Sequence, residues 1–83
     1  MQSKESILEQ VRAEFLELFE IAPDRVTPEA RLYQDLEIDS IDAIDILARV
    51  RRFTDKQVSP EDFRSVKTVG DLVEVVHRLT QAP

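Results

Sequence analysis

The segment LEIDSIDAID, residues 36–45, contains the residues of this chain that are best placed to do chemistry. It sets one serine, Ser40, among four acids, in a chain that has no cysteine and a single histidine, His77. A serine hydroxyl can act as a nucleophile beside a general base, can carry a phosphoester, or can cap a helix. Clustered carboxylates can also bind a metal ion. Each possibility makes its own demands on the neighbouring sequence.

The spacing of these residues favours neither catalysis nor metal binding. A nucleophilic serine needs a base, and His77 falls outside the apolar face of its predicted helix, as a surface residue would. The acids do not have the spacing of an EF-hand loop, and the glycine that such a loop requires is missing. The sequence therefore predicts no catalytic residue and no metal site.

Ser40 is predicted to open a helix with its hydroxyl unengaged. Asp39 is the better N-cap, and Asp42 then occupies the third helical position, where a capping box has its acid. Ser40 becomes the first helical residue, beside backbone N–H groups and the positive end of the helix dipole. Because such an end accommodates a phosphate, a phosphoester on Ser40 would be well placed.

Apolar spacings of three and four predict two long helices in the first two thirds of the chain. The first follows Ser3 as its N-cap, has an apolar face through Phe19 and is ended by Pro23. The second runs from near Asp39 to about Phe53. Between them lies a long connection, which a few apolar residues are predicted to attach to the core: Val26, Leu32, Tyr33 and Leu36.

Helix-start signals predict three further helical pieces. Thr27-Pro28-Glu29 has the pattern of a cap, a proline at the first position and an acid, which predicts a short turn of helix within the connection. The same pattern at Ser59 predicts a short third helix through about Arg64. Thr68 and Asp71 read as a capping box at the start of the last helix.

Composition agrees with an all-α fold. The chain of 83 residues is 42% hydrophobic and has one glycine, Gly70, whereas a β-rich fold with tight hairpins usually needs more. We expect a small antiparallel four-helix bundle, with three main helices, a short third helix and a long loop between the first and second. It should form one domain over residues 1–83, with an ordered core at about 4–80.

The charge balance limits the partners that this chain can have. There are 17 acids and 11 bases, for a net charge of −6 at pH 7, which disfavours nucleic acid and anionic membranes. No apolar run is long enough to span a membrane, and the N-terminus lacks the features of a signal peptide. We expect a cytoplasmic monomer that binds a partner bearing Lys and Arg.

The second helix has two apolar stripes. With Ile41 at zero and about 100° per residue, Ile46, Leu47, Val50 and Phe53 cover one face, which is predicted to be the core face. Ile41, Ile44 and Ala48 form a second stripe on nearly the opposite side. Packing by the third helix or the loop would explain this stripe, and so would a docking surface edged by Asp42 and Asp45.

These residues together resemble the acyl carrier protein family. Asp39-Ser40-Ile41, preceded by Asp35-Leu36, is similar to the D-S-L motif at which that family attaches phosphopantetheine. The resemblance extends over about residues 4–80, because Thr27-Pro28-Glu29, the entry to the second helix and Thr68-Val69-Gly70-Asp71-Leu72 follow in the family's order.

The resemblance implies a carrier and not an enzyme. A phosphopantetheinyl transferase would attach 4′-phosphopantetheine from coenzyme A to Ser40, flanked by Asp39 and Ile41, and the thiol of that arm would carry acyl groups as thioesters. It also implies an acyl-chain pocket formed by Ile44, Leu47, Phe63 and Val69. Further expected partners are an acyl-carrier synthetase or acyltransferase, a ketosynthase, a ketoreductase and a dehydratase. The expected partner-binding residues are Asp35, Glu37, Ile41, Asp42, Ile44, Asp45, Ala48, Arg49 and Arg52.

The sequence departs from the family pattern in three respects. Glu37 stands where a glycine is frequent, Ile41 replaces the leucine of the motif, and the usually acidic second half of the recognition helix contains Arg49, Arg51 and Arg52. A partner with a uniformly basic docking patch would be repelled by that half. The pattern favours a carrier of a specialised fatty-acid or polyketide-like pathway, for example an aryl-polyene pathway. A peptidyl or aminoacyl carrier, or an unmodified acidic interaction module, are the alternatives.

Overall fold

The computed structural model describes residues 3–56 and 58–81, and the regular elements in these ranges are helices. The predicted all-α bundle, with its short third helix and long first connection, is confirmed. None of the described helices has both the length and the apolar composition needed to cross a membrane. The helices are α1 (Lys4–Phe19), α2 (Ser40–Thr54), α3 (Pro60–Arg64) and α4 (Val69–Gln81), and one turn of 3-10 helix lies at Pro23–Arg25.

Both ends of α1 have a local cause. The Ser3 hydroxyl accepts a hydrogen bond from the backbone N–H of Ser6, as predicted for an N-cap. At the other end, Glu20 adopts a left-handed conformation with φ 56°, and its N–H bonds to the carbonyl of Leu16. Pro23 lies beyond this cap and begins the 3-10 turn, so the left-handed residue ends the helix before the proline is reached.

The predicted helical turn at Thr27-Pro28-Glu29 is wrong in kind. The structure has a single turn there, closed by a hydrogen bond of 3.0 Å from the Ala30 N–H to the Thr27 carbonyl, and no helix follows. The chain cannot continue into a helix because Ala30 bonds instead to Val69, at the start of α4.

The core lies between α1 and α4, which pack against each other, and α2 covers one side with two buried residues, Ile46 and Val50. The long connection adds Val26, Leu32 and Leu36, as predicted. Tyr33 is 69% exposed, so its predicted core position is wrong. The turn over residues 32–36 directs its two leucines inward, which leaves Tyr33 outside. The core residues of α1 and α4 are Ile7, Val11, Phe15, Val69, Leu72, Val73, Val75 and Val76.

The short helix α3 is anchored by its flanks. None of the five residues Pro60–Arg64 is buried. Val58 before the helix and Val66 after it are 2% and 8% exposed, and both belong to the core. Ser59 caps the helix by accepting the N–H of Asp62, as predicted. The helix is therefore held at two buried hydrophobic points, and its own Phe63, which is partly buried, packs against the core.

Three backbone hydrogen bonds, which we call the loop staple, fix the long connection to the start of α4. They run from Leu32 N–H to the Lys67 carbonyl, from Val69 N–H to the Ala30 carbonyl and from Gly70 N–H to the Pro28 carbonyl, each 2.9 Å long. Together they satisfy buried backbone groups of a segment that has no regular structure of its own.

The predicted capping box at the start of α4 is present beside the staple. The Asp71 carboxylate accepts the N–H groups of Lys67 at 3.0 Å and Thr68 at 3.2 Å, and the Thr68 hydroxyl accepts the N–H of Asp71. The bond from the Lys67 N–H is the main reason that the pKa of Asp71 lies below its ordinary value. The start of α4 is thus fixed by side-chain and backbone contacts at once.

Gly70 is required by the close approach of the staple. A Cβ at this position would lie 2.9 Å from the Pro28 carbonyl oxygen, which belongs to the backbone and is itself held by the Gly70 N–H. In an unobstructed helix, alanine would be favoured over glycine by about 1 kcal/mol. Overpacking costs about 1–3 kcal/mol, so the clash should decide the sign.

We therefore expect Gly70→Ala to destabilise the protein by about 1 kcal/mol, which lowers Tm by about 4–8 °C in a domain of this size. Thermal unfolding followed by circular dichroism measures the change. Arg78→Ala, at an exposed position of the same helix, serves as the control and should change stability by less than about 0.5 kcal/mol. An increased stability of Gly70→Ala would show that the Pro28 carbonyl can move away from the new Cβ at no cost in free energy.

Glu37 occupies a left-handed backbone position, with φ 56°, three residues before the start of α2. This explains in physical terms why glycine suits the position, since a side chain in this conformation costs about 1–2 kcal/mol. Against this gain, glycine lowers the free energy of unfolding by about 0.5–1 kcal/mol, because it gives the unfolded chain more conformational freedom.

Glu37→Gly is expected to stabilise the protein by about 0.5–1 kcal/mol, because relief of backbone strain exceeds the entropic loss. Urea unfolding gives the free energy of unfolding directly. Glu29→Gly is the matched control, since Glu29 is exposed in the same connection and does not have a positive φ. Equal losses of stability in both variants would contradict the argument.

Candidate functional site

Ser40 is the first residue of α2, and Asp39 is its N-cap. One oxygen of the Asp39 carboxylate accepts the N–H of Ile41 at 3.0 Å and the N–H of Asp42 at 2.9 Å. The Asp42 carboxylate in turn accepts the N–H of Asp39 at 3.4 Å. The predicted capping box is confirmed. The two acids nearest to Ser40 therefore serve to stabilise the helix end.

The Ser40 side chain is exposed and makes no hydrogen bond to any described residue. It faces a groove of about 670 Å³ between the long connection and α3. Apolar and aromatic residues form part of the groove, and three cations lie in its wall, of which Arg31 is paired with Asp35. The lining includes Tyr33, Ile38, Ala43, Phe63, Arg64 and Lys67.

This geometry fits a phosphate ester on Ser40. The hydroxyl lies at the positive end of a fifteen-residue helix, beside a groove that contains Arg64 and Lys67. The groove extends from the serine along an apolar wall, so a flexible chain attached to Ser40 has a surface to lie on. The exposed hydroxyl is accessible to a modifying enzyme.

Within the described ranges, no base is hydrogen-bonded to the Ser40 hydroxyl. His77, the single histidine of the chain, lies on α4, and its ring contacts the Gln81 side chain at 3.4 Å. Among residues 3–56 and 58–81, no three acids or histidines are grouped so that they could hold a metal ion.

The residues expected to form an acyl-chain pocket do not line one cavity. Ile44 is 66% exposed, whereas Val69 is fully buried in the core. Phe63 lines the groove at Ser40, and Leu47 lines a separate groove together with Val58 and Pro60. The separation arises because the loop staple pulls Val69 into the core, while the stripe to which Ile44 belongs points outward.

Three residues of α2 form an exposed apolar stripe, as the second hydrophobic stripe of the sequence indicated. Ile41 is 72% exposed and Ile44 is 66% exposed, and Ala48 is also exposed. The structure therefore leaves uncovered the stripe that another helix or the loop could have covered. Asp45 is exposed at its edge, whereas Asp42 is partly buried within the capping box.

Two residues expected to bind partners are engaged within the fold. The Arg49 guanidinium bonds to Glu14 and Glu17 of α1, each at 2.8 Å, and its side chain is only 21% exposed. Hydrogen bonding to Glu17 and to Glu14 raises its pKa. Asp35 accepts the backbone N–H of Arg31 at 2.8 Å and pairs with its guanidinium at 3.2 Å.

The Asp35 contact closes the turn that precedes the site. Hydrogen bonding from the Arg31 side chain, followed by that from its backbone N–H, lowers the pKa of the Asp35 carboxyl below its ordinary value. The Arg25 side chain also donates to the backbone carbonyl of Asp35 at 2.8 Å. Asp35 therefore shapes the connection that delivers the chain to Asp39 and Ser40.

Sequence reasoning missed several neighbours of the site. Tyr33, Arg64 and Lys67 line the groove only because the connection and α3 lie side by side in the fold. No local sequence pattern predicts that proximity.

Arg49 should stabilise the packing of α2 on α1, so Arg49→Gln is expected to lower Tm. Arg52→Gln removes the same charge from an exposed position of the same helix and should lower Tm less. Scanning calorimetry of these variants, and of Glu14→Gln alone and combined with Arg49→Gln, measures the coupling between Arg49 and Glu14. Additive changes in the double variant would show that the two side chains do not stabilise each other.

Comparison with known proteins gives a consistent result. A family model described as "Phosphopantetheine attachment site" matches residues 9–76. Acyl carrier protein 2 of Ralstonia nicotianae is 47% identical over 76 residues, which cover 92% of this chain and 94% of that protein. The acyl carrier protein of Thermosynechococcus vestitus is 26% identical over 80 residues, which cover 96% and 99% of the two chains. The chain therefore belongs to the acyl carrier protein family: it is a carrier and not an enzyme, and its cofactor is covalently attached 4′-phosphopantetheine.

Proposed function

We propose that Ser40 carries the 4′-phosphopantetheine arm and that the chain presents acyl intermediates to the enzymes of a specialised pathway. The observation that carries the proposal is the exposed, unengaged hydroxyl of Ser40 at the capped N-terminus of α2. Asp39 holds the helix end, and Ile41 begins the stripe that a modifying enzyme would contact. The arm supplies the thiol that this cysteine-free chain lacks, and acyl groups are carried on that thiol as thioesters.

The loading step is a phosphoryl transfer to the Ser40 hydroxyl, catalysed by a phosphopantetheinyl transferase. The Ser40 oxygen loses its proton to a base of the transferase and forms a bond to the phosphorus that bears the pantetheine of coenzyme A. The bond from that phosphorus to the bridging oxygen breaks, and adenosine 3′,5′-bisphosphate leaves. The helix N-terminus stabilises the resulting phosphodiester.

The groove at Ser40 is the proposed resting place of the cargo. Of the four residues first expected to form a pocket, Phe63 lies in this groove. The groove is open, and Tyr33 and Ile38 add apolar surface beside the serine. Cargo that rests here stays accessible to partner enzymes, whereas cargo in the core would have to displace Val69 and its buried neighbours.

The exposed stripe is the proposed docking surface for partner enzymes. Ile41, Ile44 and Ala48 would be contacted directly, with Glu37 and Asp45 at the edge. The proposed partners are the transferase, an acyl-carrier synthetase or acyltransferase, a ketosynthase, a ketoreductase and a dehydratase. The cationic second half of α2 supports a fatty-acid or polyketide-like pathway outside general fatty-acid synthesis, for example aryl-polyene synthesis. We further propose a cytoplasmic monomer with one carrier domain over residues 1–83, ordered over about 4–80.

Incubation with coenzyme A and a promiscuous phosphopantetheinyl transferase should add one phosphopantetheine mass to the protein. Ser40→Ala should abolish the addition, because it removes the hydroxyl that is proposed to accept the phosphopantetheine group. Intact-protein mass spectrometry provides the measurement, and Ser6→Ala, at an exposed serine of α1, is the control that should be modified fully.

Modification of Ser40→Ala to the wild-type extent would contradict the assignment. An unmodified wild-type protein in the presence of several active transferases would contradict it as well. A separate measurement concerns the cargo. Mass spectrometry of the loaded protein purified from its own host identifies the cargo and so distinguishes an acyl carrier from an aminoacyl carrier.

A further inference from the structure

A second groove continues the exposed face of α2 toward its C-terminal end. It has a volume of about 490 Å³ and lies between α2 and the segment that leads to α3. Its lining combines apolar side chains with two arginines at the helix surface and one acid, Asp55. The lining includes Leu47, Ala48, Arg51, Arg52, Val58 and Pro60. Ala48 belongs both to this groove and to the exposed stripe, so the two surfaces are continuous.

The arginines of this helix divide into two groups. Arg49 faces α1 and is paired with Glu14 and Glu17. Arg51 and Arg52 are exposed, and neither forms an ion pair with any residue of the described ranges. Measured from Ile41 they fall at about 280° and 20°, on the two sides of the exposed stripe.

The same face has the opposite charge nearer to Ser40. Asp45 is exposed on α2, and Glu37 is exposed just before the helix. The face is therefore acidic near the modification site and cationic about three turns further on. An apolar strip runs between the two ends, and its apolar groove opens at the cationic end.

We propose that this face is a bipolar docking surface whose C-terminal half binds a partner enzyme presenting a carboxylate beside an apolar side chain. The carboxylate pairs with Arg51 and Arg52, and the apolar side chain enters the groove beside Leu47 and Val58. A base of the partner pairs with Asp45. The inference rests on the proposed function, since the partner is an enzyme that acts on cargo carried by Ser40.

The helix geometry sets a distance that the partner must satisfy. Eleven residues separate Ser40 from Arg51 along α2, which corresponds to about 17 Å at 1.5 Å per residue. The partner's carboxylate must therefore lie about 17 Å from the entrance through which the arm reaches its active site. A partner whose docking face has bases at both ends would be repelled by the arginines at the C-terminal end of α2.

Helix stabilisation is the competing explanation of Arg51 and Arg52, because both lie in the last turn of α2 and complement the helix dipole. That role predicts an effect on stability alone. A docking role predicts a change in partner preference at unchanged fold. Measuring Tm and transfer kinetics on the same variants distinguishes the two.

The test uses a ketosynthase of general fatty-acid synthesis that has a basic docking face, and a version of it with two basic residues about 17 Å from its tunnel entrance changed to Glu. Each carrier is loaded at Ser40 and acylated, and its mass is verified before kcat/KM is measured with both enzymes. The carriers are wild type, Arg52→Glu and the double variant Arg51→Glu with Arg52→Glu. Arg78→Glu makes the same charge change as Arg52→Glu on an exposed position of α4 and is the control.

We expect the wild-type carrier to prefer the Glu-bearing ketosynthase by about threefold to fivefold, the upper part of the range of exposed ion pairs. The double variant should reverse the preference, Arg52→Glu should reduce it, and Arg78→Glu should leave it unchanged. The difference should shrink in high salt.

Four outcomes would overturn the inference. They are equal preferences of wild type and double variant, a lowered Tm with no change in preference, no measurable transfer from wild type to the Glu-bearing enzyme, and a dimer formed through this face in sedimentation analysis. A wild-type chain that cannot be loaded contradicts the proposed function and this inference with it. A fully loaded chain without a charge preference contradicts the docking inference alone.

Discussion

The loop staple is the constraint on which the rest of this structure depends. A connection of about twenty residues, without a regular helix beyond one 3-10 turn, leads from α1 to Ser40. Its position is set where Pro28, Ala30 and Leu32 bond to the chain around the start of α4. Once that junction is fixed, Leu36 and Ile38 can be buried and Asp39 is delivered in position to cap α2. The single glycine of the chain is used at this junction, within a helix, where only a residue without Cβ allows the two backbones to meet.

Three faces of α2, the helix that begins at Ser40, have different roles. Ile46 and Val50 bind it to the core, and Arg49 binds it to α1. The remaining face is left to solvent, with apolar side chains between charges of both signs. This division answers a question that composition alone leaves open, because a net negative charge says nothing about how charge is arranged around one helix. It also explains why three neighbouring arginines need not share a role.

Local sequence signals predicted the helices and their caps because the responsible contacts span only a few residues. Asp39 and Asp42, Ser59, and Thr68 with Asp71 all act on backbone groups within one turn. The same signals failed for Tyr33 and for the turn at Thr27, and they did not indicate the pairing of Arg49 with α1, because those outcomes depend on residues distant in the chain. The groove beside Ser40 could not be predicted for the same reason, since the connection and α3 must first be brought together. The modification of Ser40 was predicted from the family resemblance and from the free hydroxyl that remains when Asp39 caps the helix.

The two-point anchoring of α3 has a consequence for motion. Local opening costs little free energy where few apolar side chains are buried, and the five residues of α3 bury none. Detaching this helix exposes mainly the partly buried Phe63 and what Val58 and Val66 contribute at its ends, while the core of α1 and α4 stays closed. The groove at Ser40 and the groove beside Arg51 each include residues of α3 or its flanks. A single low-cost fluctuation would therefore change the widths of both at once, so cargo lying in one groove and a partner seated in the other would sense each other through the same small helix.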